Sequence, residues 1–135
     1  MVTFFMPVQE LKYHELTEKI IGCAMKVHRY FGPGFPEIVY QRALMIELDK
    51  INLKYRYEFE KDIYYEEKYI YKRRLDMLVE DKVLVELKAI SELGSGDMNQ
   101  IINYLRVFKM EVGLLLNFGT PSLQFKRFIN TSTNP

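Results

Sequence analysis

Two apolar runs, Leu75-Asp76-Met77-Leu78-Val79 and Val83-Leu84-Val85-Glu86-Leu87-Lys88, are separated only by Glu80-Asp81-Lys82. Runs of this length and Val/Leu content read as strands, and so short a polar break between them calls for an antiparallel hairpin. Each run also carries charges at positions that would otherwise belong to a core. Burying a charge is costly unless it is paired, solvated or bound to a metal. The hairpin therefore favours folds in which Asp76, Glu86 and Lys88 meet partners or an ion.

Alternation puts Glu86 and Lys88 on one face of their strand, about 7 Å apart along it, with Val83, Val85 and Leu87 on the other. The place of Asp76 depends on the turn, because residues directly opposite in an antiparallel pair project to the same side. A three-residue turn, Glu80-Asp81-Lys82, pairs Val79 with Val83 and hence Asp76 with Glu86. A two-residue turn sets Asp76 against Val85 and sends Glu86 to the other face. Two opposed carboxylates repel, which raises a pKa unless a cation neutralises them. Mg²⁺ or Mn²⁺ prefers oxygen ligands, retains water and lowers that water's pKa. Lys88 would then meet charge growing on a phosphoryl group or position the attacking water. The spacing alone also allows an ordinary Glu86–Lys88 ion pair, with Asp76 answered by Arg73 or Arg74.

The rest of the chain frames this hairpin. Leu16, Ile20, Cys23, Ala24, Val27 and Phe31 recur at helical spacing from His14 to Phe31, and Gly32-Pro33-Gly34 stops that helix. Pro36 opens a second helix running to about Lys50, with Ile38, Val39, Ala43, Leu44, Ile46 and Leu48 as its apolar positions. Tyr, Phe, Val and Ile alternating with polar residues predict strands at about 53–65, 68–79 and 83–90, joined antiparallel by turns at Glu66-Glu67 and Glu80-Asp81-Lys82. After Gly94-Ser95-Gly96, Asp97 is a candidate cap for a helix with Met98, Ile101, Ile102, Leu105 and Phe108 on its buried stripe. Val112 to Phe118 reads as a strand covered on both faces, Ser122 to Ile129 as an edge strand, and Asn130 to Pro135 as a loose tail. The expected order is α-α-β-β-β-α-β-β.

With 135 residues, 48% hydrophobic, the chain suits one domain over residues 1–135, with its core at about 14–130. Its 19 basic and 18 acidic residues nearly cancel, so any nucleic-acid contact must come from a local patch. One cysteine, Cys23, excludes an internal disulfide, and with only two histidines a zinc site is not expected. Cys23 reads as an inert core residue, and His14 and His28 as surface or core-edge histidines. Phe4-Phe5-Met6 is broken by Pro7 and lacks a basic flank, unlike a signal peptide or membrane span. The expectation is a soluble, cytoplasmic protein.

Asp on one strand, Glu-x-Lys on the next and helices before and after resemble the layout of the PD-(D/E)XK nuclease superfamily. Gly34-Phe35-Pro36-Glu37-Ile38-Val39-Tyr40 resembles the signature of its GxxExxY family. Val85-Glu86-Leu87-Lys88-Ala89, Gln100-Ile101-Ile102-Asn103-Tyr104-Leu105 and Gly113-Leu114-Leu115-Leu116-Asn117-Phe118-Gly119 are similar to that family's later motifs. The similarity runs from about His14 to Asn130. It implies an α/β fold with a restriction-endonuclease-like core, a mixed β-sheet flanked by helices. It further implies Mg²⁺ or Mn²⁺ held by Glu37, Asp76 and Glu86, and a catalytic set of Asp76, Glu86, Lys88 and Gln100 with Tyr40 and Tyr104 lining it. Two positions depart from the pattern: Asp97 stands where the family often has histidine, and Leu75 replaces the proline of the superfamily's name.

The residues themselves leave plainer roles open. An acid in the first turn of a helix, as Glu37 is, is favoured by the macrodipole without any metal. Gln100 and Tyr104 also suit the edge of a core. Lys72-Arg73-Arg74, with Lys68, Tyr69 and Tyr71, is either a contact for phosphates and bases or a set of cross-strand aromatic pairs with solvated lysines. The leading functional expectation is a Mg²⁺-dependent phosphodiesterase that hydrolyses DNA or RNA through a metal-activated water. The alternative is a catalytically silent module of the same fold that binds nucleic acid or a protein. A homodimer or another protein partner is compatible with both.

Overall fold

The computed structural model of the protein describes residues 12–131; Phe4-Phe5-Met6 and residues 132–135 lie outside it. Helix α1 (His14–Phe31) buries Ile20, Ile21, Cys23, Ala24 and Val27. It ends where Gly32 adopts φ 67° and returns its N–H to the His28 carbonyl. Gly34, at φ 111°, completes the turn, and both angles favour a residue without Cβ. Helix α2 (Glu37–Lys50) starts behind Pro36 and buries Tyr40, Gln41, Leu44 and Leu48.

Strands β1 (Tyr55–Tyr65), β2 (Lys68–Val79) and β3 (Val83–Lys88) follow, then helix α3 (Ser95–Val107) and strands β4 (Val112–Asn117) and β5 (Gln124–Ile129). The five strands form one sheet in sequence order. β3 and β4 are parallel, joined through α3, and all other neighbours are antiparallel. This is an α/β fold with a mixed sheet flanked by helices, in the order α-α-β-β-β-α-β-β.

Alternation along the central strands divides the core between the two faces. Met77, Val79, Val83, Val85, Leu87, Val112, Leu114 and Leu116 pack with α1 and α2, while Leu84 and Leu115 pack with Ile101 and Leu105 of α3. All six residues of β4 are buried, as its nearly unbroken apolar run requires. Burying a side chain of this size contributes about 1.5–3 kcal/mol, so the two-sided core supplies most of the driving force.

Three local expectations need correction. Helix α3 begins at Ser95, so Asp97 is its third residue and not its cap; Asp97 Oδ2 accepts the Gly94 N–H at 2.9 Å. Ile102 is exposed, which narrows the buried stripe of α3 to Ile101 and Leu105, with Met98 and Phe108 partly covered. On α2, Ile38 and Ile46 are exposed. Among the described residues, no helix is long and apolar enough to cross a membrane.

The feature that shapes the site is a fork. β1 and β2 pair along almost their whole length, whereas β2 and β3 share only Met77↔Val85, Leu78↔Leu84 and Val79↔Val83. Beyond Met77 the β1–β2 ribbon leaves β3 and continues as a two-stranded arm. The departure is marked in both strands. Met77 packs on the α1/α2 side but Leu75 on the α3 side, and Tyr55 and Phe59 differ in the same way. Glu58, which the register sets opposite Asp76, has φ 48°, a rare conformation for a residue with a Cβ.

Candidate active site

Val79 pairs with Val83, so the turn is the three residues Glu80-Asp81-Lys82 and Asp76 stands level with Glu86. Lys82 N–H closes the turn onto the Val79 carbonyl at 3.0 Å, and Glu80 and Asp81 take positive φ.

At the fork, side chains replace the missing ladder. Leu87 N–H donates to Asp76 Oδ2 at 2.8 Å, and Asp76 N–H donates to Glu86 Oε1 at 3.3 Å. Each carboxyl thus anchors one oxygen on backbone, in keeping with the rule that buried N–H groups find partners. Glu86 is buried, and its carboxyl is pushed up to about 9, first by loss of water and then by the neighbouring Asp76 charge and hydrogen bond, with Lys88 opposing. Burial beside the Asp76 charge disfavours ionisation of Glu86 unless a cation neutralises it.

Lys88 leaves the same strand on the α3 side. Its Nζ lies 3.3 Å from Gln100 Oε1 and 3.9 Å from Asp97 Oδ1, so it does not form the ion pair with Glu86 that spacing alone allowed. Asp97 occupies the position where the resemblance anticipates histidine, and there it both ties the helix start and faces the lysine. Tyr104, one turn beyond Gln100, has its hydroxyl held in the neutral form mainly by burial, against the nearby Arg73. The Arg73 guanidinium lies 5.4 Å from the centre of the Tyr104 ring.

From the other face, α2 brings its first turns to the same point. Gln41 Nε2 donates to the Asp76 carbonyl at 3.3 Å. Glu37, one turn earlier, has its carboxyl raised by partial burial and then by the Asp76 charge, with Lys88 acting in the opposite sense. Glu37 thus lies within the field of the fork, but Glu37, Asp76 and Glu86 do not form a ready three-ligand cluster: among the described residues, no three acidic, histidine or cysteine side chains converge tightly enough. Glu37 starts α2, whose buried residues pack on the face of the sheet opposite α3.

The donor set still fits a hard cation. It consists of carboxylate oxygens alone, one oxygen of each anchored, and the proton pressure on Glu86 is the kind that a divalent ion relieves. Mg²⁺ is commonly held by one or two carboxylates, with water and substrate phosphate completing its shell.

The model of the PD-(D/E)XK nuclease superfamily matches residues 14–128. The chain belongs to that superfamily. No curated protein matches it. Among solved structures it is similar to the crystal structure of SSO0001, at TM-score 0.47 and 20% identity, covering 89% of this chain and 60% of that one. The chain therefore spans less than two thirds of that relative's length.

Within this PD-(D/E)XK framework three expected site residues, Tyr40, Lys72 and Arg74, lie elsewhere. Tyr40 is fully buried: its hydroxyl donates to the Gly32 carbonyl and accepts the Phe35 N–H, and its ring stacks on Phe118 with centres 4.6 Å apart. It ties the Gly32–Phe35 loop to the core and does not line the fork. The basic triplet is split by alternation. Lys72 pairs with Glu60 and Asp62, and Arg74 with Glu58; only Arg73 turns toward the fork.

Gln41 was missed, although it lies four residues after Glu37 on the same helix face, a spacing that brings side chains together. Asn117 and Gly119 were also missed as supports. Asn117 is fully buried, and its amide exchanges two hydrogen bonds of 3.0 Å with the backbone of Ile90. A Cβ on Gly119 would lie 2.3 Å from Ile90 backbone atoms, so only glycine lets the chain pass. With the Phe118 N–H on the Lys88 carbonyl at 2.8 Å, this clamp fixes the end of β3 from which Lys88 projects.

Proposed function

We propose that this PD-(D/E)XK chain is a divalent-metal-dependent phosphodiesterase that hydrolyses nucleic acid. The observation that carries the reading is the pair Asp76 and Glu86, level across the fork and each tethered to backbone, with Lys88 beside them on the adjoining face. Asp76 and Glu86 would hold Mg²⁺ or Mn²⁺, which when bound supplies a water of lowered pKa and charge to neutralise a phosphodiester.

The chain's own residues supply the rest. Lys88, oriented by Gln100, places positive charge where it grows negative on the phosphoryl oxygens, and can orient the attacking water. Gln41 and the Asn117 clamp hold the strands that carry the carboxylates and the lysine. Glu37 adds a negative field that favours a cation at the fork. The Gly34, Glu37 and Tyr40 spacing supports placing the chain in the GxxExxY branch: glycine makes the turn, tyrosine ties the loop and the acid starts the helix.

The test is incubation of purified protein with plasmid, single-stranded DNA and RNA, in Mg²⁺, Mn²⁺ or chelator, beside Asp76→Asn and Lys88→Met. Metal-dependent cleavage by the native protein, reduced at least a hundredfold in both variants, supports the reading. Equal cleavage by the variants, or none by any form, overturns it. A silent binding module of the same fold is the second reading. It is favoured by a Glu86 carboxyl that stays protonated at neutral pH unless a cation arrives.

A further inference from the structure

The β1–β2 arm beyond the fork has two chemically different faces. On one, Glu58 pairs with Arg74, and Glu60 and Asp62 both reach Lys72. Tyr64 and Tyr69 face each other across the strands on this side, with ring centres 6.2 Å apart and edge to face. The Tyr69 hydroxyl also lies close enough to Lys72 to affect its charge. Every charge and ring on this face is answered by another residue of the arm.

The opposite face continues the side on which Phe59 and Leu75 pack toward α3. The register stacks Lys61 across from Arg73, Ile63 across from Tyr71 and Tyr65 across from Lys68. No acid stands on it; the nearest are Glu66 and Glu67 in the turn at the tip. Among the described residues, neither Lys61 nor Arg73 meets a carboxylate; Arg73 is held against Tyr104, with its Nε buried and without a hydrogen-bond partner. Tyr71 and Tyr65 are 57% and 66% exposed and, among the described residues, have no ring neighbour. Lys61 also borders a cleft of about 320 Å³ with Arg56, Lys82 and Lys109, whose acids Asp81 and Glu111 are taken up by Arg56 and Lys12.

We infer that this second face is a track for single-stranded nucleic acid, with Lys61 and Arg73 on phosphates and Tyr71 and Tyr65 stacked against unpaired bases, leading to the fork. The charge pattern selects a polyanion, since all the arm's strand acids are consumed on the other face. The free rings select a single strand, since only unpaired bases offer their faces for stacking. Arg73, over the Tyr104 ring, joins the track to the site. The inference deepens the proposed function by naming the form of the substrate.

Its test is binding without turnover: fluorescence anisotropy of a labelled single-stranded oligonucleotide and its duplex, in chelator, with matched substitutions on the two faces. Lys61→Gln and Lys72→Gln each remove one charge. Tyr71→Ala and Tyr69→Ala each remove one half-exposed ring. The expected result is preference for the single strand, about tenfold weaker binding in Tyr71→Ala, and a salt slope reduced by about 0.7 in Lys61→Gln, with Lys72→Gln and Tyr69→Ala within about twofold of native. Equal losses on the two faces, no loss on either, absence of binding, or duplex bound as tightly as single strand would overturn the track. A parallel Mn²⁺ cleavage assay separates the two claims. Face-selective binding without cleavage leaves the track standing and removes the phosphodiesterase reading; cleavage without face-selective binding does the reverse.

Discussion

Leu87 N–H donates to Asp76 Oδ2 at 2.8 Å, at the step where the β2–β3 ladder has just ended. One carboxylate thus does two jobs: an oxygen replaces the strand that has left, while the group faces Glu86. Asp76→Asn can keep that hydrogen bond, whereas Asp76→Ala leaves the buried Leu87 N–H without it. Urea unfolding in chelator should place the asparagine form within about 1 kcal/mol of native and the alanine form about 1–3 kcal/mol below it. Equal destabilisation by both would show that the amide contact contributes nothing.

The Glu86 carboxyl gives the metal-free protein a pH dependence of known sign. Its value is about 9 in the fold, against 4.5 for an ordinary glutamate, and it is faced by Asp76, Lys88 and Tyr104. Because the folded value is the higher, the folded state holds the extra proton between these limits. The stabilisation is complete below 4.5 and is lost as pH rises through about 9, at no more than about 1.4 kcal/mol per pH unit. In chelator, the melting temperature should fall from pH 5 to pH 8 in native protein and fall less in Glu86→Gln. Parallel curves would remove Glu86 as the cause.

Much of this arrangement was legible from the residues. The charged break Glu80-Asp81-Lys82 left two turn lengths open, and the three-residue turn, which levels Asp76 with Glu86, is the one the chain adopts. What alternation does not convey is the change of facing at Asp76, where β1 and β2 leave the sheet together. A pattern of period two assumes an undistorted strand, and Glu58, at φ 48°, looks in sequence like any other alternating acid. For the same reason Lys72-Arg73-Arg74 read as one patch, although neighbours along a strand point to opposite faces. Tyr40 was placed at the site because its motif was, while its hydroxyl serves the Gly32–Phe35 loop.

That assignment of Tyr40 is itself open to test. Tyr40→Phe removes the hydroxyl from the Gly32 carbonyl and the Phe35 N–H but preserves the stack on Phe118. Thermal unfolding should show a loss of about 1–2 kcal/mol, with kcat/KM within twofold of native. A loss of turnover without a loss of stability would return Tyr40 to the site.

Gln41 acts through Asp76, whose carbonyl it holds from α2. Supports of this kind typically contribute about 10–100-fold to metal affinity. Calorimetric titration of Mn²⁺ into Gln41→Leu should show about tenfold weaker binding, with the stoichiometry unchanged. Unaltered affinity would leave Gln41 a packing residue.

The central claim is that the Asp76–Glu86 pair is a divalent-cation site. Titration of Mn²⁺ into native protein and Asp76→Asn at pH 8, followed by calorimetry, tests it most directly. The account predicts saturable binding at one site per chain in native protein, accompanied by proton release, and its loss in the variant. Binding of equal strength in both, or no saturable binding to the native protein, would contradict it.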